Sequence, residues 1–118
     1  MDGIDFTRGE PGMIENGFNI VYEEFDDIQL KIIKNNNDIR LFNWVTYSFT
    51  NEKIEVPLDY FKCNVAVSKL TFNKFIEKLI TEKYIMKINH ELYRLNPFVY
   101  IPSYSDGAML QDEWEQLI

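Results

Sequence analysis

Apolar residues recur at helical spacing in the stretch VSKLTFNKFIEKLITEKYI, which covers residues 67–85. A helix over 68–83 would place five of them on one side: Phe72, Phe75, Ile76, Leu79 and Ile80. Ser68 stands before this helix, where its hydroxyl can accept a hydrogen bond from a free backbone amide of the first turn. The opposite side is polar and comprises Lys69, Asn73, Lys74, Glu77, Lys78 and Thr81. The pattern predicts an amphipathic helix with its apolar side in the core and its basic side in solvent.

Weaker patterns precede this helix. Asn37 or Asp38 can cap a helix over IRLFNWVTYSFT. Its apolar positions, expected to be buried, are Leu41, Trp44, Val45 and Phe49. A short extended piece, KIEVP, leads to Pro57 at the first position of a predicted second helix, LDYFKC, where a missing backbone amide costs nothing. Further upstream, the apolar residues of 18–22 and 28–32 alternate, which suits either two strands or a strand followed by a helix.

Downstream, two runs with alternating apolar residues, YIMKI and ELYRL, flank Asn89 and His90. They predict a β-hairpin over residues 85–95, because Asn and His both tolerate the backbone angles of a tight turn. Asn96 and Pro97 should end the second strand, since proline cannot donate a hydrogen bond to the ladder.

A last helix is predicted near the C-terminus, with Ser105 or Asp106 as its cap. Its apolar positions are Met109, Leu110, Trp114 and Leu117. Two interpretations stay open for them. The helix packs on its own domain, or it is a protein interface in which the tryptophan anchors a homodimer.

These elements indicate the α+β class, mainly helical. The 118 residues, 46% of them hydrophobic, suffice for one core. We expect an acidic N-terminal arm and strand extension over 1–37, a central domain over 38–100 and an acidic C-terminal helix or tail over 101–118. No apolar run approaches the length of a membrane span, and the first residues lack the pattern of a signal peptide. We therefore expect a soluble cytoplasmic protein without a membrane partner.

The net charge of −7 is unevenly distributed. Residues 1–38 carry nine acids and three bases, and residues 97–118 carry four acids and no base. Between them, residues 39–96 carry nine bases and six acids, a net charge of +3. A basic middle permits a nucleic-acid surface on an acidic protein, because phosphate binding depends on where the cations lie. The acidic ends should weaken non-specific binding.

Little in the chain indicates catalysis or a cofactor. The single cysteine, Cys63, and the single histidine, His90, cannot build a common zinc site. The acidic doublets at 23–24 and 26–27 have no metal-binding motif spacing. No glycine-rich phosphate loop or nucleophile elbow is present. We expect a protein that is not an enzyme and uses no metal or cofactor.

The predicted order over 38–100 is helix, short strand, helix, tight turn, helix and hairpin, which is the order of a winged helix-turn-helix. In that fold the third helix lies in the major groove of DNA and the hairpin touches the backbone or minor groove. The candidate DNA contacts are Ser68, Lys69, Thr71, Asn73, Lys74, Lys78, Lys87, His90 and Arg94. The cations can neutralise phosphates, and the Asn73 amide matches the N6 and N7 atoms of adenine.

Two motifs carry a resemblance to known families. The stretch 67–85 resembles the recognition-helix signature V-S-x-x-T-V-x-x-A-I-x-x-L-x-x-x-G-L-I of bacterial winged-helix regulators. The matching positions are Val67, Ser68, Thr71, Ile76, Leu79 and Ile85. The run YRLNP, residues 93–97, is similar to the Y-x-[VIL]-N-P motif of the RepL-type replication initiation proteins of plasmids and phages. This resemblance, over residues 38–100, implies a double-stranded DNA-binding protein of replication initiation or transcriptional regulation.

A second hypothesis stays open beside it. Winged helices also serve as protein-binding modules, and acidic surfaces can imitate the phosphates of nucleic acid. The chain could then be a phage factor that blocks a host replication or transcription protein through Glu23, Glu24, Asp26, Asp27 or Trp114.

Overall fold

A computed structural model describes residues 19–49, 54–90, 92–103 and 105–118. The helices are α1 Glu23–Ile32, α2 Asn36–Ser48, α3 Lys69–Thr81 and α4 Gly107–Leu117. The strands are β1 Ile20–Val21, β2 Glu55–Pro57, β3 Ile85–Asn89, β4 Leu92–Leu95 and β5 Tyr100–Ile101. A single 3-10 turn spans Tyr60–Lys62 in this described part of the chain. The fold is therefore α+β, as the sequence predicts. The first 18 residues of the predicted N-terminal arm lie outside the described residues.

Two small antiparallel sheets organise the strands. β2, β4 and β3 form one sheet, with β4 in the centre, and β1 pairs with β5 in the other. The β3–β4 hairpin confirms the predicted one, and His90 occupies its turn with φ of 22°. Partners across the central strand share a side of the sheet. Glu55 and Met86 flank Arg94 on one side, whereas Lys87 lies opposite Tyr93 on the other.

The segment before α2 follows the second of the two open interpretations, a strand followed by a helix. β1 is only two residues long, and α1 begins directly after Tyr22. Ile28 and Ile32 are buried one helical turn apart, while Leu30 between them is exposed. An alternating pattern can therefore be one side of a helix when it is short, because residues i and i+4 also share a helix side.

The cap of α2 lies earlier than predicted. Asn35, rather than Asn37 or Asp38, accepts the hydrogen bond of a first-turn amide, from the backbone N–H of Asp38 at 2.9 Å. Asp38 reaches back, and its carboxylate accepts from the backbone N–H of Lys34 at 2.8 Å. This reciprocal arrangement satisfies two free amides, so the helix begins at Asn36. The predicted burial of Leu41, Val45 and Phe49 is confirmed, and Trp44 is half-buried.

The predicted second helix, LDYFKC, is wrong. Only the 3-10 turn Tyr60–Lys62 forms, capped by the Asp59 carboxylate, which accepts from Phe61 N–H at 3.0 Å. The residues that follow favour an extended chain, since β-branched valines alternate there. Tyr60 fixes the end of this segment, because its hydroxyl donates to the carbonyl of Val67 at 2.8 Å. The loop that leads into α3 is thus held by a hydrogen bond from a side chain.

The core joins elements from all parts of the described chain. Phe25 of α1 contacts the rings of Phe42, Tyr84 and Tyr100, with ring centroids 5.4, 6.1 and 5.5 Å away. Tyr84 also stacks on Phe42 at 5.1 Å, and its hydroxyl lies 2.6 Å from Thr46 Oγ1. The predicted boundary at 37/38 falls inside α2, one of the helices of this core, and the boundary at 100/101 falls inside β5.

Candidate nucleic-acid interface

α3 forms as its sequence predicts. Ser68 caps it, with its hydroxyl accepting from Thr71 N–H at 3.1 Å and lying 3.0 Å from Thr71 Oγ1. Phe72, Phe75, Ile76 and Leu79 are buried. We call the exposed side of the helix the α3 outer face. It comprises Lys69, Leu70, Thr71, Asn73, Lys74, Glu77, Lys78 and Thr81.

The three lysines of the α3 outer face lie along its two edges. An α-helix turns by about 100° per residue, so Lys74 and Lys78 lie one above the other, and Lys69 lies well around the helix from both. All three are exposed. Neither α1 nor α4, the acidic helices, has a described ion pair with any of them. The face can therefore place positive charge on both sides of a bound polyanion.

Two further residues extend this face and are missing from the sequence-based candidates. Phe61, in the 3-10 turn, is 79% exposed, and the Lys69 ammonium lies 5.3 Å from the centroid of its ring. Lys62 is exposed beside it. Both residues belong to the predicted second helix, of which only the 3-10 turn forms. The adjacent aromatic and basic residues in YFK were the available signal.

The hairpin supplies Lys87 and His90. Lys87 is exposed, with its ammonium 6.0 Å from the centroid of the Tyr93 ring. It shares the side of the sheet with Ile85, which belongs to the same core as the apolar side of α3. Lys87 therefore lies on the side of the sheet that packs against the core shared with α3. His90 is exposed at the tip.

The prediction that Arg94 offers its charge to a phosphate is contradicted. Arg94 is 8% exposed and lies on the other side of the sheet. Its guanidinium donates to the Glu55 carboxylate at 2.9 Å and to that of Glu113 in α4. Two carboxylates thus neutralise it, and it links β2, β4 and α4. We call Arg94, Glu55 and Glu113 the Arg94 cluster.

The C-terminal helix packs on its own domain. Asp106 caps it, accepting from Met109 N–H at 3.2 Å. Leu110 and Trp114 are buried at 6% exposure, whereas Met109 and Leu117 are about half exposed. Trp114 lines an apolar cavity of 260 Å³ together with Ile85 and Met86. Of the four predicted interface residues, two are therefore buried within the domain and two remain exposed. The tryptophan is one of the buried residues and is not available as an anchor for a partner.

The acidic residues cluster elsewhere. The first turns of α1 carry Glu23, Glu24, Asp26 and Asp27, and α4 carries Asp112, Glu113 and Glu115 without a base. A groove of 550 Å³ between α1 and α2 is lined by Asp26, Gln29, Leu30, Ile33, Ile39 and Asn43. Within it Leu30 is 77% exposed and Ile39 is 43% exposed. The basic and acidic surfaces belong to different elements of the fold.

Two tyrosines of the core have perturbed acidity. Burial raises the pKa of Tyr100 to about 12. Burial also raises the pKa of Tyr84, and the hydrogen bond with Thr46 offsets this in part. Both phenols stay neutral near pH 7. Their shifts therefore concern stability.

Other chemistry is sparse among the residues that the structure describes. They contain no group of three or more His, Cys, Asp or Glu side chains that could hold a metal ion. Cys63 is half-buried at the end of the 3-10 turn. No described helix is long and apolar enough to cross a bilayer.

The fold and its surface define an α+β protein with a basic, exposed helix. Comparison with protein-family models, curated proteins and solved structures finds no match to this chain.

Proposed function

We propose that this protein binds double-stranded DNA as a winged helix, with α3 in the major groove and the β3–β4 hairpin as the wing. The observation that carries the proposal is the α3 outer face, on which Lys69, Lys74 and Lys78 are exposed at both edges. A helix fits the major groove, whose two walls are phosphate backbones. Ser68 and Thr71, at the start of α3, lie where backbone contacts are made.

The order of elements supports this proposal. α2, β2, the 3-10 turn, α3 and the hairpin follow one another as in a winged helix, with the second helix reduced to one turn. Counted along the recognition-helix signature, its glycine falls on Lys83. This residue has φ of 62°, a left-handed conformation that glycine adopts at least cost. This left-handed residue at the end of α3 supports the comparison with the signature.

A function in replication initiation or transcriptional regulation rests on the resemblance alone. Within the YRLNP motif, Asn96 is a structural residue, because its side chain donates to the Lys83 carbonyl at 2.6 Å and accepts from Phe98 N–H at 2.8 Å. The motif therefore joins the end of α3 to the end of the hairpin.

The proposal also includes a cytoplasmic location and a homodimer, which would double the number of DNA contacts.

Charge reversal on α3 tests the proposal. A variant with Lys69→Glu, Lys74→Glu and Lys78→Glu should lose the mobility shift of a randomised duplex about three helical turns long at low salt. The matched control reverses the same number of exposed cations on α1, on α2 and in the loop between them, through Lys31→Glu, Lys34→Glu and Arg40→Glu, and should keep most of the affinity. Equal binding by the α3 variant and wild type, or no binding by the wild type, would overturn the proposal.

The groove between α1 and α2 favours one alternative function, docking of a protein. Leu30 and Ile39 are exposed there beside the acidic first turns of α1. A basic amphipathic helix of a host replication or transcription protein would match this combination of apolar and acidic groups. Leu30→Lys combined with Ile39→Lys should abolish capture of such a partner. Intact capture after this change would rule the groove out.

A further inference from the structure

We infer that Leu70, Asn73 and Glu77 contact base edges, so that the preferred DNA site contains A·T pairs next to a C·G pair. We call these three residues the central row. This inference deepens the proposed function and rests on it. It concerns which sequence is bound, whereas the lysines concern only how tightly DNA is held.

The helix geometry separates the central row from the lysines. Residues three and four apart are neighbours on a helix, so Leu70, Asn73 and Glu77 follow one another along the middle of the α3 outer face. Lys69 lies at one edge of this row, and Lys74 and Lys78 lie at the other. With cations directed at the two phosphate backbones, the central row is directed at the floor of the groove, where the base edges lie.

Leu70 is the unexpected residue of this row, because it exposes a large apolar side chain to solvent. It is 64% exposed on a helix whose other large apolar residues are buried or half-buried. Phe61, close to the start of the same helix, is also highly exposed. In the major groove the apolar group on offer is the C5-methyl of thymine. A leucine at the start of a groove-bound helix therefore favours thymine.

Asn73 and Glu77 have unused hydrogen-bonding groups. Among the described residues, no group hydrogen-bonds the Asn73 amide, and Glu77 forms no ion pair although lysines neighbour it on the helix. An asparagine amide pairs with N6 and N7 of adenine, and a carboxylate accepts from N4 of cytosine. Glu77 would repel a phosphate, so its position between lysines suits contact with a base.

The length of the central row sets the length of the site. α-helical rise places Leu70 and Glu77 roughly 10 Å apart along the axis. Base pairs stack about 3.4 Å apart, so the row spans at most about four consecutive base pairs. The predicted core site therefore contains a thymine, an adenine and a cytosine within four positions.

Selection from a randomised duplex library tests the inference, with wild type, Leu70→Ala, Asn73→Ala and Glu77→Gln compared under one salt condition. Each change should abolish the preference at one position, with discrimination there falling about 5- to 150-fold. Lys74→Ala is the matched control from the same face and should weaken all sequences alike while leaving the preferred site unchanged.

The outcomes separate the inference from the proposed function. A wild type that binds no duplex would overturn both. A wild type that binds duplex DNA without preference, or keeps the same preferred site in all three central-row variants, would overturn the inference and leave DNA binding in place. Circular dichroism should show the same helix content for every variant, since all the altered side chains are exposed.

Discussion

On one side of the three-stranded sheet, Lys87 and the lysines of α3 are exposed, whereas on the other side Arg94 is buried beneath α4 and bound by Glu55 and Glu113. Both sides carry cations from the same basic stretch of sequence. α4 makes the difference, because the carboxylate of Glu113 reaches only the side of the sheet on which Arg94 lies. Its acids neutralise a structural cation and leave the α3 outer face open.

Positive charge acts differently on the two sides of the sheet. A buried guanidinium between two carboxylates links three elements, and removing it affects folding. An exposed lysine contributes little to folding and remains available for a phosphate. Mutations on the two sides should therefore have opposite signatures in stability and in DNA affinity.

The largest effect is expected where α4 is attached to the sheet. Trp114→Ala removes a buried indole and should lower the free energy of unfolding by about 3 to 5 kcal/mol. Met109→Ala, on the exposed side of α4, should change it by less than about 0.5 kcal/mol. Urea titration measures both. A small effect of Trp114→Ala, with unfolding that depends on protein concentration, would indicate that the tryptophan serves a dimer interface instead.

A smaller loss is expected in the Arg94 cluster. Arg94→Met keeps an apolar stem but leaves the carboxylates of Glu55 and Glu113 without their cation. Because both carboxylates are partly solvated, we expect the free energy of unfolding to fall by only about 2 kcal/mol. DNA affinity, measured where the variant is folded, should not change. Lys74→Met should do the reverse, with nearly unchanged stability and weaker binding. Weaker DNA binding by folded Arg94→Met would contradict the division of the two sides.

Alkaline pH tests the core that holds both sides together. The pKa of Tyr100 is raised to about 12 and that of Tyr84 is raised as well, from an ordinary value near 10. Above about pH 10 the unfolded chain loses these protons and the folded chain keeps them. Stability should therefore be intact below about pH 10 and fall above it, by about 1.4 kcal/mol per pH unit for each such tyrosine. Tyr100→Phe should reduce the slope of stability against pH, and an unchanged slope would show that Tyr100 is not responsible.

The smallest effect is a gain at the end of α3. Lys83 has φ of 62° and ends the helix with hydrogen bonds from its own N–H to Ile80 O and from Tyr84 N–H to Leu79 O. These are the two bonds of a Schellman motif, in which glycine is preferred. Lys83→Gly should raise the free energy of unfolding by up to about 1 kcal/mol. Lys83→Ala is the control and should give no gain, because alanine meets the same steric cost.

Local signals predicted the local structure well. Ser68 and the apolar spacing after it predicted α3, and the runs around Asn89 and His90 predicted the hairpin, because these features depend on neighbours in sequence. The cap of α2 was misplaced, since Asn35, Asn37 and Asp38 all have capping side chains. In the structure Asn35 is the cap, because its side chain accepts from Asp38 N–H while the Asp38 carboxylate accepts from Lys34 N–H.

Sequence patterns could not predict contacts between residues that are far apart in the chain. Arg94 pairs with Glu55, 39 residues earlier, and with Glu113, 19 residues later. Neither spacing is a helical or hairpin neighbour, so nothing local distinguishes Arg94 from Lys87. The pairing of β1 with β5, Ile20 opposite Ile101, is equally non-local. For the candidate site, the lysines of α3 could be predicted, whereas the burial of Arg94 and the exposure of Phe61 required the fold.

DNA binding through the α3 outer face is best measured by the salt dependence of duplex binding, compared between wild type and a variant in which Lys69, Lys74 and Lys78 are all replaced by Gln. Each phosphate contact contributes about 0.9 to the slope of log affinity against log salt concentration. The triple variant should lose between about 2 and 3 from the magnitude of this slope. Folded Arg94→Met should keep the wild-type slope. An unchanged slope in the triple variant, or a reduced slope in Arg94→Met, would show that the α3 lysines do not hold the DNA as proposed.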